Sequence, residues 1–116
     1  MILKKKTFNQ PNDINYLVYL PDEYYNDEKS YPLVLFLHGA GERGNNVDSI
    51  KKHGIPKRIE EGVHFPFITI APQCRDGIWW SNMENINILE KLMNYSILDL
   101  KVDKKRIYGT GLSMGG

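Results

Sequence analysis

The chain of 116 residues contains one cysteine, Cys74, so no disulfide can form within it. Cys74 has no CxxC partner and no Cys/His cluster nearby, which leaves no pattern for a structural zinc site. Long apolar runs are missing too. No stretch approaches the roughly 20 apolar residues that span a bilayer, and Met1-Ile2-Leu3-Lys4-Lys5-Lys6 lacks the apolar core of a secretion signal. A cytoplasmic location without a membrane partner is the expectation. Excess charge is absent as well: 15 basic residues face 14 acidic ones, for a net charge of +1. That balance gives no electrostatic basis for binding nucleic acid or a membrane surface, and Lys4–Lys6 is read as a solvated strand face. There is no internal repeat or low-complexity tract, so residues 1–116 form one unit. With no phosphate-binding glycine loop, paired carboxylates or metal-ligand cluster, neither metal nor cofactor is expected.

What is present has the composition of an ordinary globular protein, 41% hydrophobic and 25% charged. Residues 2–8 and 14–20 are strand-like, the second placing Ile14, Tyr16, Val18 and Leu20 on one face by period-two alternation. The turn-forming Asn9-Gln10-Pro11-Asn12-Asp13 between them predicts an antiparallel hairpin. Pro32-Leu33-Val34-Leu35-Phe36-Leu37 is apolar without alternation, as in a parallel strand covered on both faces. Residues 47–61 read as irregular or helical, broken by Gly54 and Pro56. A second buried strand spans 67–71 and is closed by Pro72. Ser81-Asn82-Met83-Glu84 fits a capping box that opens a helix through about residue 98, its apolar face at Ile86, Leu89, Leu92, Met93 and Ile97. Arg106–Thr110 reads as a third core strand. Hairpin, strand, helix, strand, helix, strand is the order of an α/β fold with a mostly parallel sheet.

The chemistry concentrates at two strand ends. Gly111-x-Ser113-x-Gly115 has the spacing of a nucleophile elbow, in which a serine sits in a sharp strand-to-helix turn and small neighbours relieve the crowding. Chance supplies this pattern in roughly one chain in 25 of this length, so context decides, and here a predicted strand leads directly into it. Acyl transfer also needs backbone N–H donors for the oxyanion of the tetrahedral intermediate. Met114, next after the serine, would give one. His38-Gly39-Ala40-Gly41, after the earlier core strand, would give the other, with Ala40 the first choice and Gly41 the second.

The blocks Leu35–Gly44, Ile70–Cys74 and Val102–Gly116 together resemble a bacterial branch of the α/β-hydrolase superfamily, often labelled "predicted peptidase" and similar to polyhydroxybutyrate depolymerases and feruloyl or acetyl-xylan esterases. The resemblance runs in order over about residues 14–116. It implies Ser113 as nucleophile, Ala40 and Met114 as oxyanion donors, and a small-molecule or oligomeric ester as substrate, hydrolysed through an acyl-enzyme without a cofactor. It also implies that the chain is the N-terminal portion of one α/β-hydrolase domain ending at the elbow. The triad's acid and histidine follow the serine in this fold, so the 116 residues alone are expected to be inactive and their last strand to be left as an unpaired apolar edge. His38 is assigned an orienting role, while His53 and His64 precede the serine and do not fit the triad order. Glu42 and Arg43 are expected to orient the loop by ion pairing. Trp79 and Trp80 either line an acyl or aromatic subsite or pack beneath the loop. Two alternatives stand beside the esterase: a serine peptidase of prolyl-oligopeptidase type, and an inactive remnant.

Overall fold

The computed structural model describes residues 1–9, 13–74, 80 and 83–111, with Met83 and Glu84 by backbone only. Five strands form one sheet in the order β1-β2-β4-β3-β5. The strands are β1 (Ile2–Asn9), β2 (Asp13–Leu20), β3 (Tyr31–Leu37), β4 (Ile68–Pro72) and β5 (Val102–Gly111). β1 and β2 pair antiparallel, with Ile2 opposite Leu20 and Asn9 opposite Asp13. β2 is antiparallel to β4, whereas β3 runs parallel to both β4 and β5. The sheet is thus mixed: a parallel three-stranded part with the hairpin added at one side.

Two faces of the sheet are covered by different segments. On one, Tyr16, Val18, Leu20, Leu33, Ile68 and Ile70 pack with Leu92, Met93 and Ile97 of helix α2 (Met83–Asp99). On the other, Leu17, Tyr19, Phe36 and Ala71 pack with Ile50, Ile55 and Ile59 from a 3-10 turn, Val47–Lys52, and helix α1 (Gly54–Glu60). β2 is therefore buried on both faces. Its alternation marked only one, because Leu17 and Tyr19 interleave a second apolar set. Burial, reinforced by Tyr95 and the Asp99 carboxylate, pushes the Tyr16 phenol up to about 12.

α1 ends in a Schellman arrangement. The Gly62 N–H donates to the Ile59 carbonyl and the Val63 N–H to the Arg58 carbonyl, and Gly62 has φ +100°, a conformation that costs a residue with a Cβ about 1–2 kcal/mol.

Two expectations need correction. Pro72 lies within β4. Ile86 is 43% exposed, and the buried stripe of α2 runs instead through Asn85, Ile88, Leu89, Leu92 and Ser96. Small polar residues at positions 85 and 96 weakened the apolar signal on the side that faces the core. β5 stands at the edge of the sheet, as expected for the last strand of these 116 residues taken alone. Most of its residues are exposed, because it is bonded to β3 alone among the described residues and α2 covers only its Val102 end. Tyr108 is 57% exposed. The Ser81–Glu84 capping box begins outside the described residues. Among those residues no helix is long and apolar enough to cross a membrane.

Candidate active site

In open α/β sheets, ligands bind beyond the carboxyl ends of strands where the strand order reverses. Here the chain passes from β3 to β4 on one side, then crosses back to β5 on the other. The reversal centres on β3. Its last residue, Leu37, is paired with Gly111 at the end of β5, about 4.8 Å away in the direction of the sheet hydrogen bonds. The loop that begins at His38 therefore leaves the sheet beside Gly111, the last residue of β5.

The first of these loops is built as a short 3-10 turn, Ala40–Glu42, entered through extended Gly39 (φ −81°, ψ −179°). Glu42 N–H donates to the Gly39 carbonyl and Arg43 N–H to the Ala40 carbonyl. The Arg43 Nε donates to that same Ala40 carbonyl at 3.0 Å. The N–H groups of Ala40 and Gly41, at the head of the turn, take no acceptor among the described residues. A Cβ added at Gly41 would meet nothing within 4 Å. Two adjacent N–H donors, on half-buried Ala40 and exposed Gly41, thus lie just past the end of β3. Glu42 and Arg43 form no ion pair with each other: Arg43 holds a carbonyl, and the buried Glu42 carboxylate lies 3.8 Å from His53 Nε2.

His38 is fully buried. Its Nε2 accepts from the Cys74 N–H at 2.8 Å, so Nδ1 carries the proton and donates to the Gly39 carbonyl at 2.6 Å. Both ring nitrogens are occupied by backbone, which leaves neither for proton transfer. Burial pushes the His38 pKa below the ordinary histidine value, partly opposed by the Gly39 carbonyl. The sign follows. The unfolded ring takes up a proton near pH 6.5 and the folded ring only at lower pH, so stability is full above that value and declines as the pH falls. Urea midpoints should drop between pH 7 and pH 5, and the drop should shrink in His38→Gln.

Of the other histidines, His64 lies before the entry to β4, at the opposite end of the sheet, and is 3.3 Å from Glu23. His53 is 60% exposed beside Glu42.

Sequence reading missed the part played by the exit of β4. Gln73, only 2% exposed, donates from Nε2 to the carbonyls of Glu42 (3.0 Å) and Asn46 (2.6 Å). Gly44 N–H donates to the Cys74 carbonyl at 2.9 Å. Trp80 Nε1 donates to the His38 carbonyl at 3.0 Å, with its ring against the His38 ring. These bonds clamp the β3 loop from one side. The Pro72-Gln73-Cys74 run was visible in the sequence, but its partners are about 30 residues away along the chain, beyond any local pattern. Gln73→Ala would leave the Glu42 carbonyl without its donor and the Asn46 carbonyl with the Ser49 N–H alone. A loss of about 2 kcal/mol is expected from such a buried group, measurable as a lower urea midpoint at unchanged m-value.

Trp80 is 4% exposed and packs with Cys74, Leu89 and Leu37 beneath the loop. Trp79, Ser113 and Met114 lie outside the described residues. Asp99 closes α2, and Asp103 is engaged by Arg106 Nε at 2.7 Å, with its pKa lowered by the Lys105 N–H and Arg106. Among the described residues no group of three or more His, Cys, Asp or Glu side chains is placed to hold a metal ion.

No family model matches the chain. It is 32% identical over 110 residues to a probable feruloyl esterase C from Aspergillus clavatus, covering 90% of this chain and 39% of the relative. It is 31% identical over 113 residues to feruloyl esterase C from Emericella nidulans, covering 93% and 40%. Among solved structures, a thermostable esterase superposes with a TM-score of 0.77 at 29% identity, over 97% of this chain and 35% of that one. A ferulic acid esterase from the anaerobic fungus Anaeromyces mucronatus gives 0.63 at 25% identity, over 98% and 50%. The chain spans about two-fifths of the length of the curated relatives it matches.

Proposed function

We propose, for a chain that is the N-terminal part of an esterase-type α/β-hydrolase, that the intact protein hydrolyses carboxylic esters through an acyl-enzyme formed on Ser113. The observation that carries this reading is the pairing of Leu37 with Gly111. It sets the loop whose Ala40 and Gly41 N–H groups take no acceptor among the described residues next to Gly111, the first residue of Gly111-x-Ser113-x-Gly115.

The Ser113 hydroxyl attacks the ester carbonyl carbon, and the carbonyl oxygen becomes an oxyanion held by the N–H groups of Ala40 and Met114. Collapse expels the alcohol and leaves the acyl group on Ser113 Oγ. Water then adds to the acyl carbon through a second oxyanion in the same place, releasing the acid and restoring the hydroxyl. A serine hydroxyl needs a base to take its proton. His38 is spent on backbone bonds, and His64 lies at the far end of the sheet. The base and its carboxylate partner are therefore assigned to segments after Gly116, in the order serine, acid, histidine.

A panel of 4-nitrophenyl acetate, a feruloyl ester and a matched peptide anilide, run on the intact protein, tests the reaction class. Turnover of the esters with little of the anilide is expected; the reverse preference would replace the esterase by a serine peptidase.

A further inference from the structure

The turn Ala40–Glu42 is held only loosely by its own backbone. Its two backbone bonds, Glu42 N–H to the Gly39 carbonyl and Arg43 N–H to the Ala40 carbonyl, are both 3.4 Å long, beyond the roughly 2.9–3.0 Å of an ordinary N–H···O bond. Side chains supply the shorter contact in each case. His38 Nδ1 donates to the Gly39 carbonyl at 2.6 Å, and Arg43 Nε donates to the Ala40 carbonyl at 3.0 Å. These bonds fix two consecutive peptide planes. A trans peptide is planar, with its carbonyl and its N–H pointing opposite ways, so a side chain that holds a carbonyl also aims the N–H of the next residue. His38 in this way sets the Ala40 N–H. Arg43, half-buried, sets the N–H of exposed Gly41, and neither N–H takes an acceptor among the described residues.

We propose that Arg43 is a positioning residue for ester hydrolysis: through the Ala40 carbonyl it aims the Gly41 N–H at the oxyanion, as a donor beside that of Ala40. The proposal rests on the esterase reading. Arg43 adds charge as well as direction. Its guanidinium is a permanent cation, and a hydrogen bond given by a cation is stronger than a neutral one. Such a bond draws electron density from the Ala40 carbonyl, and hydrogen bonds in a chain polarise one another. The Gly41 N–H thereby becomes a better donor to a negative oxygen. That negative charge develops in the transition state, not in the bound ester, so the effect belongs to kcat and not to KM. A role confined to loop packing would instead lower stability and weaken substrate and transition state alike. Removing an oxyanion donor outright costs about 100- to 1000-fold in kcat. Loss of the Arg43 side chain leaves the Gly41 N–H and the backbone bond to Ala40 in place, so a smaller loss of about ten- to thirtyfold is expected.

The test measures hydrolysis of 4-nitrophenyl acetate by the intact protein. Arg43→Met keeps the length of the side chain and removes its donor and charge; it should lower kcat about ten- to thirtyfold with KM within about twofold of wild type. Arg43→Lys keeps the cation without a donor where Nε stands and should lose about threefold, which decides the matter if the methionine variant does not fold. In Arg43→Ala, millimolar guanidinium should restore part of the lost kcat and sodium at the same concentration should not. Phenylboronic acid gives a readout without turnover. It adds to a serine hydroxyl as a tetrahedral anion, and its affinity for Arg43→Met should fall in parallel with kcat. Wild-type kcat in Arg43→Met, or in Arg43→Lys where that variant decides, would overturn the proposal. So would a loss carried by KM alone, or one without weaker boronate binding, while the wild type still turns the ester over. A folded wild type that hydrolyses no ester would overturn the esterase reading itself, and the proposal with it.

Discussion

Ser113→Ala in the intact protein is expected to lower kcat for ester hydrolysis by about 10⁴- to 10⁶-fold, the range seen when a triad serine is removed. The size follows from what the hydroxyl does. Without it no acyl-enzyme can form, and the reaction must proceed by direct attack of water on an ester held in the site. The oxyanion donors and binding contacts remain, so the residual rate should still exceed that of the uncatalysed reaction. KM should change little, because the serine contributes more to the transition state than to ground-state binding. Serine to alanine removes one oxygen and adds no bulk, so the folded state should survive the change. Unfolding curves that coincide with the wild type would show that chemistry, not folding, is what has been lost.

Ala40→Pro is the second large effect, and the local backbone makes it a clean one. The role assigned to Ala40 uses its N–H and nothing of its side chain, and proline has no N–H. Ala40 is the first residue of its 3-10 turn, the position where proline is best tolerated, since the N–H there has no partner within the turn. Proline also demands an extended residue before it, and Gly39 already has φ −81° and ψ −179°. Ala40→Pro should therefore fold and yet lose about 100- to 1000-fold in kcat, the usual cost of one oxyanion donor. Ala40→Gly keeps the N–H and should stay within a few-fold of wild type. Equal, mild effects from both would transfer the donor role to Gly41.

The strands that frame the site were legible because their signals are local. Leu33–Leu37 is an apolar run ending in glycines, and Gly111-x-Ser113-x-Gly115 follows directly on β5. The register between them was not legible. Pairing of Leu37 with Gly111 joins residues 74 positions apart, and only the assembled sheet displays it. The clamp on the β3 loop was hidden for the same reason. Gln73, Cys74 and Trp80 reach the loop across the sheet end, and nothing in their own neighbourhood marks a glutamine side chain as the donor to two distant carbonyls. One failure has another origin. The buried stripe of α2 contains Asn85 and Ser96, which a hydrophobic pattern counts as solvent-facing. β5 lies at the sheet edge, as expected of the last strand in these 116 residues, and burial depends on what lies against a strand as well as on its residues. How Glu42 and Arg43 hold the loop was not legible either: Glu42 lies beside His53, to which no local pattern links it, and Arg43 reaches back to the Ala40 carbonyl.

The central claim is that Ser113 becomes covalently acylated, and the most direct measurement traps that bond. The intact protein would be treated with a serine-directed fluorophosphonate, digested, and the modified peptide sequenced by mass spectrometry. The predicted result is one adduct per molecule, on Ser113, formed at a rate that falls in parallel with ester turnover in Ala40→Pro and is absent in Ser113→Ala. Stoichiometric labelling of another residue, with ester hydrolysis intact in Ser113→Ala, would contradict it.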